Sequence, residues 1–65
     1  MRQSLEDRKI IEQAKGAAMP RLRIDEVEAY HRMRRLSSQH NWKLVELARR
    51  VLESETIFKL LEEVR

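Results

Sequence analysis

The sequence predicts an all-α fold, a small three-helix bundle with an extended or kinked C-terminal helix. Apolar side chains recur at intervals of three and four residues along most of the chain, the spacing of one helical face. The chain has no alternating β-branched run and no hairpin dipeptide, so strands are not expected. Its 65 residues include one glycine, one proline and no cysteine. We therefore expect a single domain over residues 1–65, stabilised without disulfides by helix packing, by oligomerisation or by attachment to a larger protein.

The first helix is predicted to end or kink at Pro20. Proline removes one backbone donor and biases the preceding Met19 away from α geometry. The apolar face of this helix holds Ile11, Ala14, Ala18 and Leu22. Leu5, Glu12 and Met19 repeat every seven residues, so residues 1–9 are interpreted as the end of a possible coiled-coil helix.

The second helix is predicted to begin at Asp25. An aspartate followed three residues later by Glu28 is a typical N-terminal capping arrangement, with Ile24 placed to pack back onto Ala29. The apolar face that follows holds Ala29, Tyr30, Met33, Leu36, Ser37 and His40.

The third helix is predicted to begin at Asn41, a plausible N-cap after a polar cluster. Its apolar face holds Leu44, Leu47, Ala48, Val51 and Leu52. Leu44, Val51 and Phe58 keep a seven-residue spacing, which favours one continuous or kinked helix into the tail at 53–65. The alternative is that Ser54 caps a separate short helix.

The positive charge is unevenly distributed, although the net charge is only +3. No acidic residue occurs between Gln13 and Ile24 or between Ala29 and Val45. Antiparallel packing of the first two helices would merge these two stretches into one basic surface, as expected of a phosphate-binding protein. The alternative is that the arginines only solvate the surface and pair with Glu28 or Glu46.

Catalytic chemistry is not indicated. The chain has no thiol, no glycine-rich phosphate loop and no clustered serine, histidine and acid. His31 and His40 would lie on opposite faces of one helix, so they should not share a metal. We expect no enzyme activity, no cofactor and no metal. The uncharged runs are too short for a membrane span and no signal peptide is evident, so a cytoplasmic location is expected.

An ordered set of small, aromatic and basic residues carries a family resemblance. It begins at Ala14-Lys15-Gly16 and continues through Met19, Glu28-Ala29-Tyr30, Arg34-Arg35, Ser37, Asn41, Lys43-Leu44 and Ala48. At these positions the chain resembles the ANTAR domain, the RNA-binding output module of bacterial transcription antitermination regulators. The resemblance runs without gaps over a core of about residues 10–52.

The resemblance implies a three-helix fold that follows a receiver domain and a coiled-coil helix, usually in a homodimer. It implies binding to tandem RNA hairpins with small terminal loops in nascent leader transcripts, which prevents a competing terminator from forming. The expected partners are therefore a stem-loop leader RNA, a second copy of the chain, and a receiver or sensor in the same or a separate protein.

Eight residues are candidate RNA contacts under this resemblance: Lys15, Gly16, Arg21, Arg34, Arg35, Ser37, Asn41 and Lys43. Gly16 has helix packing as an equal alternative, because glycine inside a helix needs a close approach to justify its cost. Ser37 has a packing role as its alternative, and Asn41 the N-cap role. Tyr30 is predicted at the core or its edge in preference to stacking on a base.

Three positions depart from the family pattern. Arg23 stands where the family commonly has the glycine that ends the first helix, and Pro20 is unusual just before it, so the turn there is expected to differ in shape. Trp42 stands where a basic residue is frequent, which exchanges a phosphate contact for a stacking ring.

Two other functions remain open from the sequence. Three helices with a basic second helix are compatible with a helix-turn-helix-like DNA-binding module, although the arginines precede the third helix instead of beginning it. Heptad-like spacing also fits a dimerisation or protein-interaction module whose charges only face solvent.

Overall fold

The computed structural model describes residues 5–64, and this part of the chain is all helical. Four helices follow one another: α1 (Leu5–Leu22), α2 (Glu26–Gln39), α3 (Leu44–Glu53) and α4 (Glu55–Glu63). No strand occurs among the described residues. The predicted all-α class is therefore confirmed. Residues 1–4 of the possible coiled-coil segment lie outside the described residues, and the rest of that segment continues into α1.

The favoured prediction of one continuous or kinked third helix is wrong, and its alternative, a separate short helix capped by Ser54, is confirmed. This residue has extended backbone angles, φ −130° and ψ 119°. Its backbone N–H closes α3 by donating to Arg50 O at 2.8 Å. Its hydroxyl opens α4 by accepting the backbone N–H of Ile57 at 3.4 Å. A serine side chain that caps a new helix competes with continuation of the old one.

The first helix ends near Pro20, as predicted. α1 passes through Pro20 and stops two residues later, at Leu22. Arg23 then adopts a left-handed conformation with φ 56°. The backbone N–H of Ile24 donates to Met19 O at 3.1 Å, the long bond of a Schellman-type helix end.

Asp25 begins the second helix, as predicted. Its carboxylate accepts the backbone N–H of Glu28 at 2.8 Å, which satisfies one of the free donors of the first turn of α2. Ile24 is half-buried against the core.

Asn41 ends the second helix instead of beginning the third, so its predicted N-cap role is wrong. It is left-handed, with φ 58°. Backbone N–H groups of Asn41 and Trp42 donate to Ser38 O at 3.2 Å and Ser37 O at 2.9 Å, the pair of bonds of a Schellman motif. Asparagine tolerates this conformation better than most residues. Lys43 takes the N-cap position of α3, and its backbone N–H donates to a Glu46 carboxylate oxygen at 3.1 Å.

The core contains residues from all four helices. α1 packs most extensively against α3, and α2 and α4 complete the enclosure. The buried apolar residues are Ile11, Ala14, Ala18, Ala29, Met33, Leu36, Leu47, Ala48, Val51, Phe58, Leu61 and Val64. Burying a side chain the size of Phe58 or Leu61 contributes roughly 1.5–3 kcal/mol. The C-terminal segment therefore belongs to the core and is more than a helical tail.

The left-handed turn at Arg23 predicts a stabilising substitution. Arg23→Gly should raise the free energy of unfolding by about 1 kcal/mol, because glycine adopts positive φ without the Cβ clash that an arginine meets. Chemical denaturation followed by circular dichroism measures this change. Gln39→Gly is the control, since it places glycine within the last helical turn and should destabilise. An Arg23→Gly protein no more stable than the parent would contradict the assigned backbone conformation.

Candidate nucleic-acid interface

Lys15 forms two ion pairs at the junction of α1 and α2. It is 9% exposed, and its Nζ lies 3.0 Å from Glu12 Oε2 and 3.1 Å from Glu26 Oε2. The hydrogen bond to Glu12 raises the pKa of Lys15 above its usual value; burial of the ammonium opposes this effect, and Glu26 reinforces it. The lysine is therefore held as a cation within the fold, paired with two carboxylates.

Arg21 joins α1 to α4. Its guanidinium donates to both carboxylate oxygens of Glu55, one of them at 3.2 Å. The same group lies over the Phe58 ring, 3.8 Å from the centroid. The hydrogen bond between the two side chains lowers the pKa of Glu55 and raises that of Arg21. A planar fork on a carboxylate with an aromatic ring against its face is a geometry that lysine would not reproduce.

The two acid-free stretches do not merge into one basic surface, contrary to the prediction. The middle of α1 lies beside the start of α2, where Glu26 meets Lys15. Arg32 is also engaged: its Nε donates to Glu28 Oε2 at 2.9 Å and its Nη1 to Glu62 O at 3.3 Å. The predicted alternative, pairing with Glu28, thus holds for Arg32. Acids that lie outside the two stretches, some near in sequence and some distant, therefore pair with several of their cations.

Arg34 and Arg35 remain exposed, and neither forms an ion pair within residues 5–64. They lie on the solvent-facing side of α2, hereafter the outer face. A shallow depression there is lined by Val27, Tyr30, His31, Arg34, Arg35, Ser38 and Gln39. Val27 is 76% exposed and Tyr30 38% exposed, so Tyr30 lies at the edge of the core. The outer face combines two free guanidinium groups with apolar and aromatic surface.

Gly16 is exposed in the middle of α1, and helix packing does not explain it. A Cβ built on this residue would meet no atom within 4 Å apart from its own helix and chain neighbours. The packing alternative is therefore wrong. A close approach by an external group is the explanation that remains from the sequence reasoning.

The other three candidates occupy the end of α2 and the start of α3. Ser37 is buried, and its Oγ donates to Arg34 O at 2.8 Å, so its packing role is the one that the structure supports. Asn41 is exposed at the left-handed turn. Lys43 is exposed at the N-cap of α3.

Sequence reasoning missed a stacked group beside these residues. The rings of His40 and Trp42 lie 4.5 Å apart, inclined by 16°. The Arg50 guanidinium carbon lies 4.4 Å from the centre of the Trp42 ring. The predicted stacking ring at Trp42 was the available signal. Nothing in the linear pattern linked it to Arg50, because helix periodicity does not cross the turn between α2 and α3.

Comparison with known proteins identifies the family of this domain. The model of the family described as ANTAR domain matches residues 1–52. The chain belongs to the ANTAR domain family. Searches of curated proteins and of solved structures gave no match.

ANTAR membership makes this an RNA-binding domain of the kind that acts in transcription antitermination. The matched region includes α1, α2 and nearly all of α3, and it ends before α4 begins. Among residues 5–64 no helix is long and apolar enough to cross a membrane. No cluster of three histidine or acidic side chains in the described part could hold a metal ion.

The Arg21–Glu55 pair predicts a pH dependence of stability. The pKa of Glu55 is lowered in the folded state, so its contribution is present above the ordinary value near 4.5 and is lost as the pH falls through the lowered value. Glu55→Gln should therefore be less stable than the parent at neutral pH, with the difference shrinking in acid.

Denaturant unfolding of both proteins between neutral and acidic pH measures this difference. Glu53→Gln is the matched control, since Glu53 is an exposed acid without an ion pair in the described residues. A gap between parent and Glu55→Gln that stays constant into acid would show that the pair is not formed.

Proposed function

We propose that this ANTAR domain binds hairpin loops of nascent leader RNA through the outer face of α2 and the adjoining Lys43, and so prevents terminator formation. The observation that carries the proposal is the pair Arg34 and Arg35, exposed and without ion pairs within the family match. Arginine offers a planar fork of donors that suits phosphates and guanine edges.

The division between free and engaged cations supports this location. A phosphate that contacts Lys15 or Arg21 must displace carboxylates already in place, whereas Arg34 and Arg35 exchange only water and counterions for it. Direct RNA contact is therefore assigned first to Arg34, Arg35 and Lys43. Lys15 and Arg21 then act on RNA mainly by fixing α1 against α2 and α4.

Gly16 supplies a second place of close approach. It adjoins Lys15, which pairs with Glu26 at the start of α2, while Arg34 lies eight residues further along that helix. Eight residues of α-helix span about 12 Å. An RNA hairpin is large enough to touch both places, with its backbone over Gly16 and its loop beside the arginines.

Ser37 and Asn41 complete the proposal as supports for the arginine-bearing helix end. The Ser37 hydroxyl is bonded to Arg34 O, and the left-handed Asn41 stops α2. The side chain of Asn41 is exposed and adjoins Lys43 along the chain, so a loop base can reach it.

The proposal extends to the assembly and its setting. We infer a homodimer in the cytoplasm, where nascent transcripts are made, under the control of a receiver or sensor in the same or a separate protein. Two copies would present two outer faces, which suits tandem hairpins.

Arg34→Ala should weaken binding to a small-loop RNA hairpin about ten-fold or more at moderate salt, and Arg35→Ala similarly, because each loses a charge-assisted contact. Fluorescence anisotropy of labelled hairpin measures the affinity. The slope of affinity against salt should become shallower in both variants. Circular dichroism should be unchanged, since both side chains are exposed.

Arg49→Ala is the matched control, because Arg49 is an exposed arginine on α3 without an ion pair in the described residues. It should bind like the parent. Competition with duplex DNA at fixed salt separates the DNA-binding alternative. A parent protein that prefers the duplex, or an Arg34→Ala protein that binds as the parent does, would refute the assigned surface.

Gly16→Ala should separate stability from binding. The free energy of unfolding should rise by about 1 kcal/mol, since alanine is the better helix former and its methyl group meets nothing. RNA affinity should fall because the methyl group obstructs the backbone. Ala17→Gly is the opposite control, expected to destabilise. Unchanged affinity in a stabilised Gly16→Ala protein would remove Gly16 from the interface.

A further inference from the structure

The turn between α2 and α3 contains a stack of planar groups. His40 lies against Trp42 with ring centroids 4.5 Å apart and 16° between the planes, and the Arg50 guanidinium lies 4.4 Å from the Trp42 ring centre. Trp42 is half-buried against the core, while His40 is exposed. Trp42 thus supports the exposed His40 ring, and Arg50 in turn contacts Trp42.

The surroundings of His40 distinguish between ligands. It borders a depression between the end of α2 and α4 that is also lined by Arg35, Leu60 and Glu63. A phosphate there would meet the Glu63 carboxylate as well as Arg35, and it would gain nothing from Leu60. A planar base can stack on the ring, cover the apolar side chain, and donate its amino or imino hydrogens to a carboxylate.

The depression adjoins the outer face of α2, because Arg35 and Gln39 line both. A nucleotide held beside His40 would therefore follow directly from a backbone held by the two arginines. Leu60 and Glu63 belong to α4, which lies beyond the family match at residues 1–52.

We propose that His40, backed by Trp42 and Arg50, is a stacking site for one unpaired base of the bound RNA, in the depression completed by α4. The proposal rests on the RNA-binding function argued above and assigns a base-contacting site that the phosphate contacts do not supply. Specificity for one nucleotide of the RNA would then depend on a helix outside the matched family region.

The test compares His40→Phe with His40→Leu, two apolar replacements that differ in having a ring. His40→Phe should keep the parent affinity for a hairpin RNA, and His40→Leu should lose roughly five-fold or more, the scale of one base–aromatic stack. This loss should persist at high salt, unlike that of Arg34→Ala, because stacking is not ionic.

Two further measurements locate the contact. Trp42 is the only tryptophan in the chain, so its fluorescence reports on the stack: RNA should change it in the parent and much less in His40→Leu. Abasic substitutions are then made at successive unpaired positions of the RNA. At one position the abasic RNA should bind the parent and His40→Leu with equal affinity. That position is the stacked base.

The outcomes separate the two proposals. Equal affinities of the parent, His40→Phe and His40→Leu, with Arg34→Ala still weakened, overturn the stacking site and leave the RNA-binding surface intact. If His40→Leu lowers the affinity for every abasic RNA by the same factor as for the intact RNA, the stacking site is also overturned. The loss of affinity would then come from a change in the protein structure. A parent that binds no hairpin RNA overturns both.

Discussion

The extended backbone at Ser54 is the constraint on which the rest of this structure depends. It ends α3 and turns the chain so that Phe58, Leu61 and Val64 enter the core formed by α1, α2 and α3. A helix that continued straight from α3 would carry these side chains away from α1 and α2. For a chain of this length the added apolar burial is substantial, because small domains bury a low fraction of their surface.

The return of α4 also decides which cations are available to a ligand. Glu55 engages Arg21, and the carbonyl of Glu62 accepts from Arg32, which also pairs with Glu28, so α4 supplies partners to two arginines. Arg34 and Arg35 form no ion pair among the described residues. Two adjacent positive charges thus remain without an ion pair near the end of α2, although the net charge is only +3. Exposed ion pairs individually contribute little to the free energy of unfolding. Their main effect is to leave fewer cations available to a ligand.

Local signals were predictable from the sequence where one residue and its near neighbours decide the structure. Asp25 caps α2 because its carboxylate accepts the backbone N–H of Glu28, three residues later. The apolar spacing likewise identified Ile11, Met33 and Leu47 as core residues. The left-handed backbone at Arg23 and Asn41 was not predicted, since left-handed residues other than glycine have weak sequence signals. The partnership of Arg21 with Glu55 joins residues 34 apart in sequence and could not be inferred from periodicity. For the interface, the family pattern named Arg34 and Arg35, but only the structure separates them from Lys15 and Arg21.

The departure at Trp42 illustrates how a changed residue can preserve the character of a surface. A basic side chain at this position would provide a mobile charge. The indole provides a fixed plane, and Arg50 from α3 brings a guanidinium to within 4.4 Å of it. Cation–π contact and stacking on His40 restrict all three side chains, so less conformational freedom is lost when a ligand arrives. Positive charge therefore remains beside the turn between α2 and α3. It is carried by Arg50 of α3, whose guanidinium lies against the Trp42 ring.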